Sequence, residues 1–178
     1  HVGVMSTAVE RNVPARMGSD VILEGLFPGD FTDIATYKKT LVAISQRDRT
    51  LVVLDPNLAA ISSHPLQYTP RRIRVVEGLQ TDANNDGFIT PDENFDLAVI
   101  GCDGAIVIVD LSNPVNPADI GIIRVPGVVR ELDVDAGRRR IFAGVDQNRS
   151  GDTTPAIYMV DLSKPATTDL VDNDKDEI

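Results

Sequence analysis

The chain has 178 residues, with 17 Lys and Arg against 27 Asp and Glu, a net charge of −10. Phosphate backbones and anionic lipids are bound by clustered basic side chains, so this balance argues against a nucleic-acid partner and against docking on a membrane. Hydrophobic residues at 42% can fill a core, while the single Cys102 excludes an intrachain disulfide and 4% aromatics leave little for stacking platforms.

In chain order, residues 1–20 carry no firm periodicity and read as a lead-in segment or the end of a preceding repeat. A pattern then recurs three times: an apolar run, a turn, and an apolar run that ends in Asp with Pro shortly after. Its first copy is Leu41–Ser45 followed by Leu51–Pro56. The second is Leu97–Gly101, the turn Cys102-Asp103-Gly104, and Ile106–Pro114. The third is Ile141–Val145, a longer polar loop, and Ile157–Pro165. The runs are short, β-branched and bounded by Asp, Gly and Pro, which predicts strands. Asp103-Gly104 between two such runs is a hairpin signal. Near-continuous apolarity predicts strands buried on both faces. Helix signals are almost absent.

Asp55, Asp110 and Asp161 recur at intervals of a little over 50 residues, longer than the roughly 40–45 of a common propeller blade. Segment 129–135 precedes the third copy as an additional strand, and 77–83 holds the corresponding place before the second. Segment 120–125 reads as an outer strand. Each unit then has four strands, at about 129–134, 139–145 and 156–162 plus an outer strand beyond in the third. This predicts an all-β chain of β-propeller blades of four antiparallel strands over 21–178, about three to four blades; a β-sandwich is the alternative. Three blades do not close a ring, so further blades are expected from a longer polypeptide, of which this chain reads as a piece. It starts at His1 and stops in the acidic run 172–178.

Ile106-Val107-Ile108-Val109-Asp110-Leu111-Ser112-Asn113-Pro114 and Ile157-Tyr158-Met159-Val160-Asp161-Leu162-Ser163-Lys164-Pro165 resemble the LVIVD-repeat propeller family. The resemblance covers roughly residues 31–165 and is best in 96–165; the first copy departs from it at Asp55-Pro56-Asn57. It implies a propeller of a secreted or surface protein and assigns no activity.

The sharpest local signal is Asp82-Ala83-Asn84-Asn85-Asp86-Gly87-Phe88-Ile89-Thr90-Pro91-Asp92-Glu93, which matches the twelve-residue calcium loop Asp-x-[Asp/Asn]-x-[Asp/Asn]-Gly-x5-Glu. Ca²⁺ is a hard cation that takes six to eight oxygens. Asp82, Asn84 and Asp86 offer side-chain oxygens at alternate positions, Phe88 its carbonyl, Thr90 a hydroxyl or a water, and Glu93 a bidentate carboxylate. Gly87 permits the sharp turn, and Ile89 stands where such loops place an apolar side chain in the core. The flanks read as strands, so a helix-opening calcium switch is not implied. The competing reading is an acidic solvated turn.

Two further loops repeat part of this pattern. Asp146, Asn148, Ser150 and Asp152 form a possible second metal site without the twelfth-position Glu, because Ile157 stands there. Asp172, Asp174 and Asp176 form a possible third. His64 in Ser62-Ser63-His64-Pro65 reads as a surface loop residue, and Cys102 as a turn residue without a histidine partner. Arg71, Arg72 and Arg74, and Arg138, Arg139 and Arg140, read as arginines paired with local carboxylates.

These observations predict a non-catalytic, calcium-stabilised structural or interaction module of a larger secreted or cell-surface protein. Its partners would be other blades or domains of the same polypeptide, other proteins, or copies of itself. One alternative is a propeller hydrolase or lactonase with a metal in the central channel. The other is a filament or adhesin subunit.

Overall fold

The structure, a computed structural model, describes residues 26–80, 88, 90, 91, 93–146 and 155–162. Its strands in chain order are β1 Asp33–Tyr37, β2 Thr40–Ser45, β3 Thr50–Leu54, β4 Ala60–Pro65, β5 Pro70–Gln80, β6 Asn94–Asp110, β7 Ala118–Asp135, β8 Arg140–Asp146 and β9 Ala156–Asp161. No helix occurs among the described residues. The chain is all-β, as its pattern predicts, with one antiparallel sheet ordered β1-β2-β3-β4 and a second ordered β5-β6-β7-β8-β9.

The two long strands are not straight. At about 3.3 Å per residue a flat 17-residue β6 would span roughly 55 Å. Instead its ends meet: the Leu111 amide, just past β6, donates to the Asp96 carbonyl at 2.6 Å. β6 therefore doubles back at Asp103-Gly104, where Gly104 takes a φ of +83° that its missing Cβ makes inexpensive. Residues 94–102 pair with β5, and most of 103–110 pairs with the start of β7. β7 changes partner as well. Its first part, Ala118–Arg124, pairs with β6, and from Val128 onward it pairs with β8.

These bends divide the second sheet into two layers, so the described chain stacks three units. Unit one is β1–β4. Unit two is β5, β6 and the first part of β7. Unit three is the second part of β7 with β8 and β9. One core lies between units one and two. Tyr37, Val42, Ile44, Leu51 and Val53 meet Ile73, Ala98, Ile100, Cys102, Val107 and Val109 there. The other lies between units two and three, with Leu97, Val99, Ile106 and Ile108 against Val129, Leu132, Ile141, Ala143 and Val145. Successive β6 residues thus point into different cores, which is why this run is apolar without alternation.

The recurring Asp has a local reason. The Asp55 carboxylate accepts the Asn57 and Ala59 amides at 2.8 Å, and that of Asp110 accepts the Ser112 amide at 2.8 Å. Each is an Asx turn that ends a strand.

Three expectations need correction. The strand before the second repeat begins at Pro70, not Glu77, because Ile73 opposite Ile100 supplies the buried face. Segments 120–125 and 129–134 belong to one continuous β7. His64 lies in β4, not in a loop. The outer strand expected beyond residue 162, and the lead-in at 1–20, lie outside the described residues.

A candidate calcium loop and the polar seam beneath it

Segment 81–93 leaves β5 and re-enters at β6. Its two ends are held side by side, because Gln80 pairs with Asn94 and Leu79 with Phe95. Glu93, the twelfth residue of the calcium pattern, is fixed directly before β6 and is only 6% exposed. One carboxylate oxygen, Oε2, accepts the Thr90 amide at 2.8 Å and the Thr90 hydroxyl at 3.1 Å. In return the Glu93 amide donates to the Thr90 carbonyl at 3.0 Å. The ninth and twelfth positions are therefore locked together, which places a carboxylate at the base of the loop. Pro91 between them supplies a rigid φ for this one-turn clasp. The Phe88 side chain is 73% exposed, so it leaves the core to its neighbours. Asp82, Asn84, Asp86 and Ile89 lie outside the described residues, as do Asn148, Ser150, Asp152, Asp172, Asp174 and Asp176. Among the described residues no group of three or more His, Cys, Asp or Glu side chains is placed to hold a metal ion.

Below the loop runs a polar seam that the sequence pattern does not reveal. Asp96 is 9% exposed, yet its carboxylate collects partners from the end of β1 and from β5. Oδ2 lies 2.7 Å from the Tyr37 hydroxyl and 2.6 Å from Lys38 Nζ, and Oδ1 accepts the Gly78 amide at 2.8 Å. The Tyr37 hydroxyl also reaches the Leu111 carbonyl at 2.9 Å, and the Asp96 amide donates to Ser112 Oγ at 3.2 Å. Burial alone would raise the Asp96 pKa, but Lys38, Gly78 and Tyr37 outweigh it and hold the carboxyl below its usual range. Burial, with Asp96 beside it, pushes the Tyr37 phenol up, and the hydrogen bond to Asp96 raises Lys38. The Lys38 amide donates to Glu77 Oε1 at 2.8 Å and adds a second tie between units one and two. Gly78, with φ +64°, gives β5 the bend that turns its amide to Asp96. No signal near Asp96 announces this role, since its partners come from distant parts of the chain.

In the second loop only Asp146 is described. Its Oδ2 lies 3.2 Å from Arg130 Nε, so a cation already sits on that carboxylate. Such pairing opposes a tight metal there. His64 Nε2 is 2.8 Å from Asp119 Oδ1, another bridge from unit one to unit two. Cys102 is fully buried, and burial pushes its thiol up to about 12, which withholds the thiolate that nucleophilic chemistry needs. Most of the arginines do pair with carboxylates. Arg71 grips Asp103 through two bonds of 2.7 and 2.6 Å, and Arg72, Arg74, Arg138 and Arg140 reach Glu131, Asp33, Asp135 and Asp161.

No family model matches this chain, and no curated protein matches it.

Proposed function

We propose that this chain is a non-catalytic, calcium-stabilised structural or interaction module of a secreted or cell-surface protein, built from β-propeller blades of four antiparallel strands. Support for blades comes from the stacking of three antiparallel units face to face, with β1 beside β5 and β5 beside β7. That is the order in which the innermost strands of successive blades would meet around an axis. The LVIVD-like strands Ile106–Asp110 and Ile157–Asp161 then occupy matching places in consecutive units.

The observation that carries the calcium reading is the pairing of Gln80 with Asn94. It holds Gln80 and Asn94, which flank the segment carrying the twelve-residue pattern, at neighbouring strand positions. The entropy of closing that loop is met by the hairpin rather than by the ion. The Thr90–Glu93 clasp holds the last carboxylate half-oriented, and its rotation would offer both oxygens to Ca²⁺. All the ligands come from one contiguous stretch, which favours a structural ion over a catalytic one that needs an open position and convergent groups. Extracellular calcium, near millimolar, suits loops of this kind. The loop 146–152 would bind more weakly, since Arg130 already neutralises Asp146.

Calorimetric titration of the whole chain with calcium chloride tests this. The expected result is one dominant site that Glu93→Gln removes and Asp146→Ala leaves in place. Absence of calcium-dependent heat, or loss of the tightest site in Asp146→Ala, contradicts it.

A further inference from the structure

Among the described residues β5 pairs with β6 alone, along the eleven residues Pro70–Gln80. The backbone groups on its other edge are occupied all the same. The Ile73 amide, turned away from β6, donates to Asp33 Oδ2 at 3.1 Å. The Ile73 carbonyl accepts Arg74 Nη1 at 2.7 Å, and the Arg71 carbonyl accepts Arg72 Nη1 at 3.0 Å. Alternate residues of a strand share an edge, so these three groups follow one another along it. A neighbouring strand would bond to the same groups; here three charged side chains hold them.

The arrangement is assembled from all three units. Asp33 comes from unit one, and its other oxygen accepts the Ile34 amide at 3.0 Å, which fixes the carboxylate. Arg74 Nη1 lies 3.7 Å from Asp33 Oδ2, and Arg72 Nη2 lies 3.7 Å from Glu131 Oε1 of unit three. Other strands are protected differently. β4 has six residues, ends in Pro65 and contains Ser62, Ser63 and His64. From Val128 onward β7 exposes Arg130, Glu131 and Asp133. The centre of β5, Ile73-Arg74-Val75-Val76, is apolar but for Arg74. A bare edge of that length and composition is a template on which another chain can add a strand.

We infer that Asp33, Arg72 and Arg74 are an edge guard: they hold the backbone groups of β5 to which an extended polypeptide would otherwise hydrogen-bond. The partner kept out is any chain in extended form, since strand addition is carried by main-chain bonds. Asp33 is the central member, because it alone takes the Ile73 N–H and also stands beside Arg74. It reaches β5 only when unit one is stacked on unit two, so the guard closes as the units come together.

The test compares the full chain with Asp33→Ala/Arg74→Ala and with Asp33→Asn, which keeps an oxygen for the Ile73 amide. Hydrogen exchange by NMR reads that amide, sedimentation velocity reads association, and a thiol reagent reads unfolding through the fully buried Cys102. In the double variant the Ile73 amide should exchange about tenfold faster, the effect of one lost hydrogen bond. Its sedimentation coefficient should rise with concentration beyond the parent's while Cys102 stays unreactive. Asp33→Asn should follow the parent in both readings. A double variant that sediments as the parent does at every concentration overturns the inference. Association that appears only together with Cys102 reactivity reflects unfolding and overturns it as well, as does an Ile73 amide whose exchange is unchanged.

Discussion

β6 and β9 contain nearly the same sequence, Ile-Val-Ile-Val-Asp and Ile-Tyr-Met-Val-Asp, and live in different surroundings. The end of β6 has a unit on each side, so all of Ile106, Val107, Ile108 and Val109 are buried. Among the described residues, β9 has a unit on one side only. Tyr158 and Val160 pack inward on the second core, while Ile157 and Met159 face out. A strand's own residues therefore say that both of its faces can be covered. The presence or absence of a neighbouring unit decides whether they are.

Truncating the matched isoleucines of β6 and β9 should have very different costs. Ile106→Ala should cost about 2–5 kcal/mol in denaturant unfolding, the usual range for emptying a packed site. Ile157→Ala should cost under about 0.5 kcal/mol in a monomer, as an exposed substitution does. Equal losses would mean that β9 is covered in solution.

Glycines at matched positions make a finer contrast. A Cβ on Gly101 would clash with Val129 Cγ1 and stand 2.9 Å from Val129 Cβ, across the covered face of unit two. One on Gly144, in the corresponding place, would meet Glu131 Cβ at an ordinary 3.5 Å. Gly101→Ala should cost about 1–3 kcal/mol by overpacking, with most of it recovered when Val129 is also made Ala. Gly144→Ala should be nearly neutral. Thermal unfolding of the set decides between the outcomes.

The polar seam between units one and two gives a pH dependence centred on Asp96. The folded Asp96 carboxyl titrates below its unfolded value of about 3.9. Its contribution is complete above that value and is lost as pH falls through the lower folded one. Asp96→Asn should remove about 1–3 kcal/mol at pH 7 and flatten the stability profile below pH 4. A profile as steep as the parent's would place the acid sensitivity elsewhere. The smallest effect is at a turn. Arg139 holds φ +55° between β7 and β8, and Arg139→Gly should stabilise by under about 1 kcal/mol, read from the denaturant midpoint.

Much of the strand architecture was legible because apolar runs end in turn residues whose chemistry is local: Asp103-Gly104, the Asx turns at Asp55 and Asp110, and the turn before Arg140. β5 was half hidden, since three arginines interrupt its apolar pattern and only distant Asp103, Glu131 and Asp33 explain them. β4 was hidden for the same reason: Ser62 and His64 read as loop until the Pro114 carbonyl and Asp119 supply their partners. The merging of strands into β6 and β7 results from how units stack, which no local window contains. In segment 82–93 the twelve-residue pattern is a local signal, whereas the Asp96 seam beneath it depends on Tyr37, 59 positions away.

The most direct measurement is the melting temperature of the full chain in millimolar calcium and after chelation. Binding the folded form alone adds about 2.7 kcal/mol at a hundredfold excess over Kd. In a chain of this size that lowers the melting temperature by roughly 5–10 °C on chelation. Glu93→Gln should melt near the chelated value in both conditions. A parent chain whose melting temperature ignores the chelator would contradict the account and leave 82–93 as an acidic solvated turn.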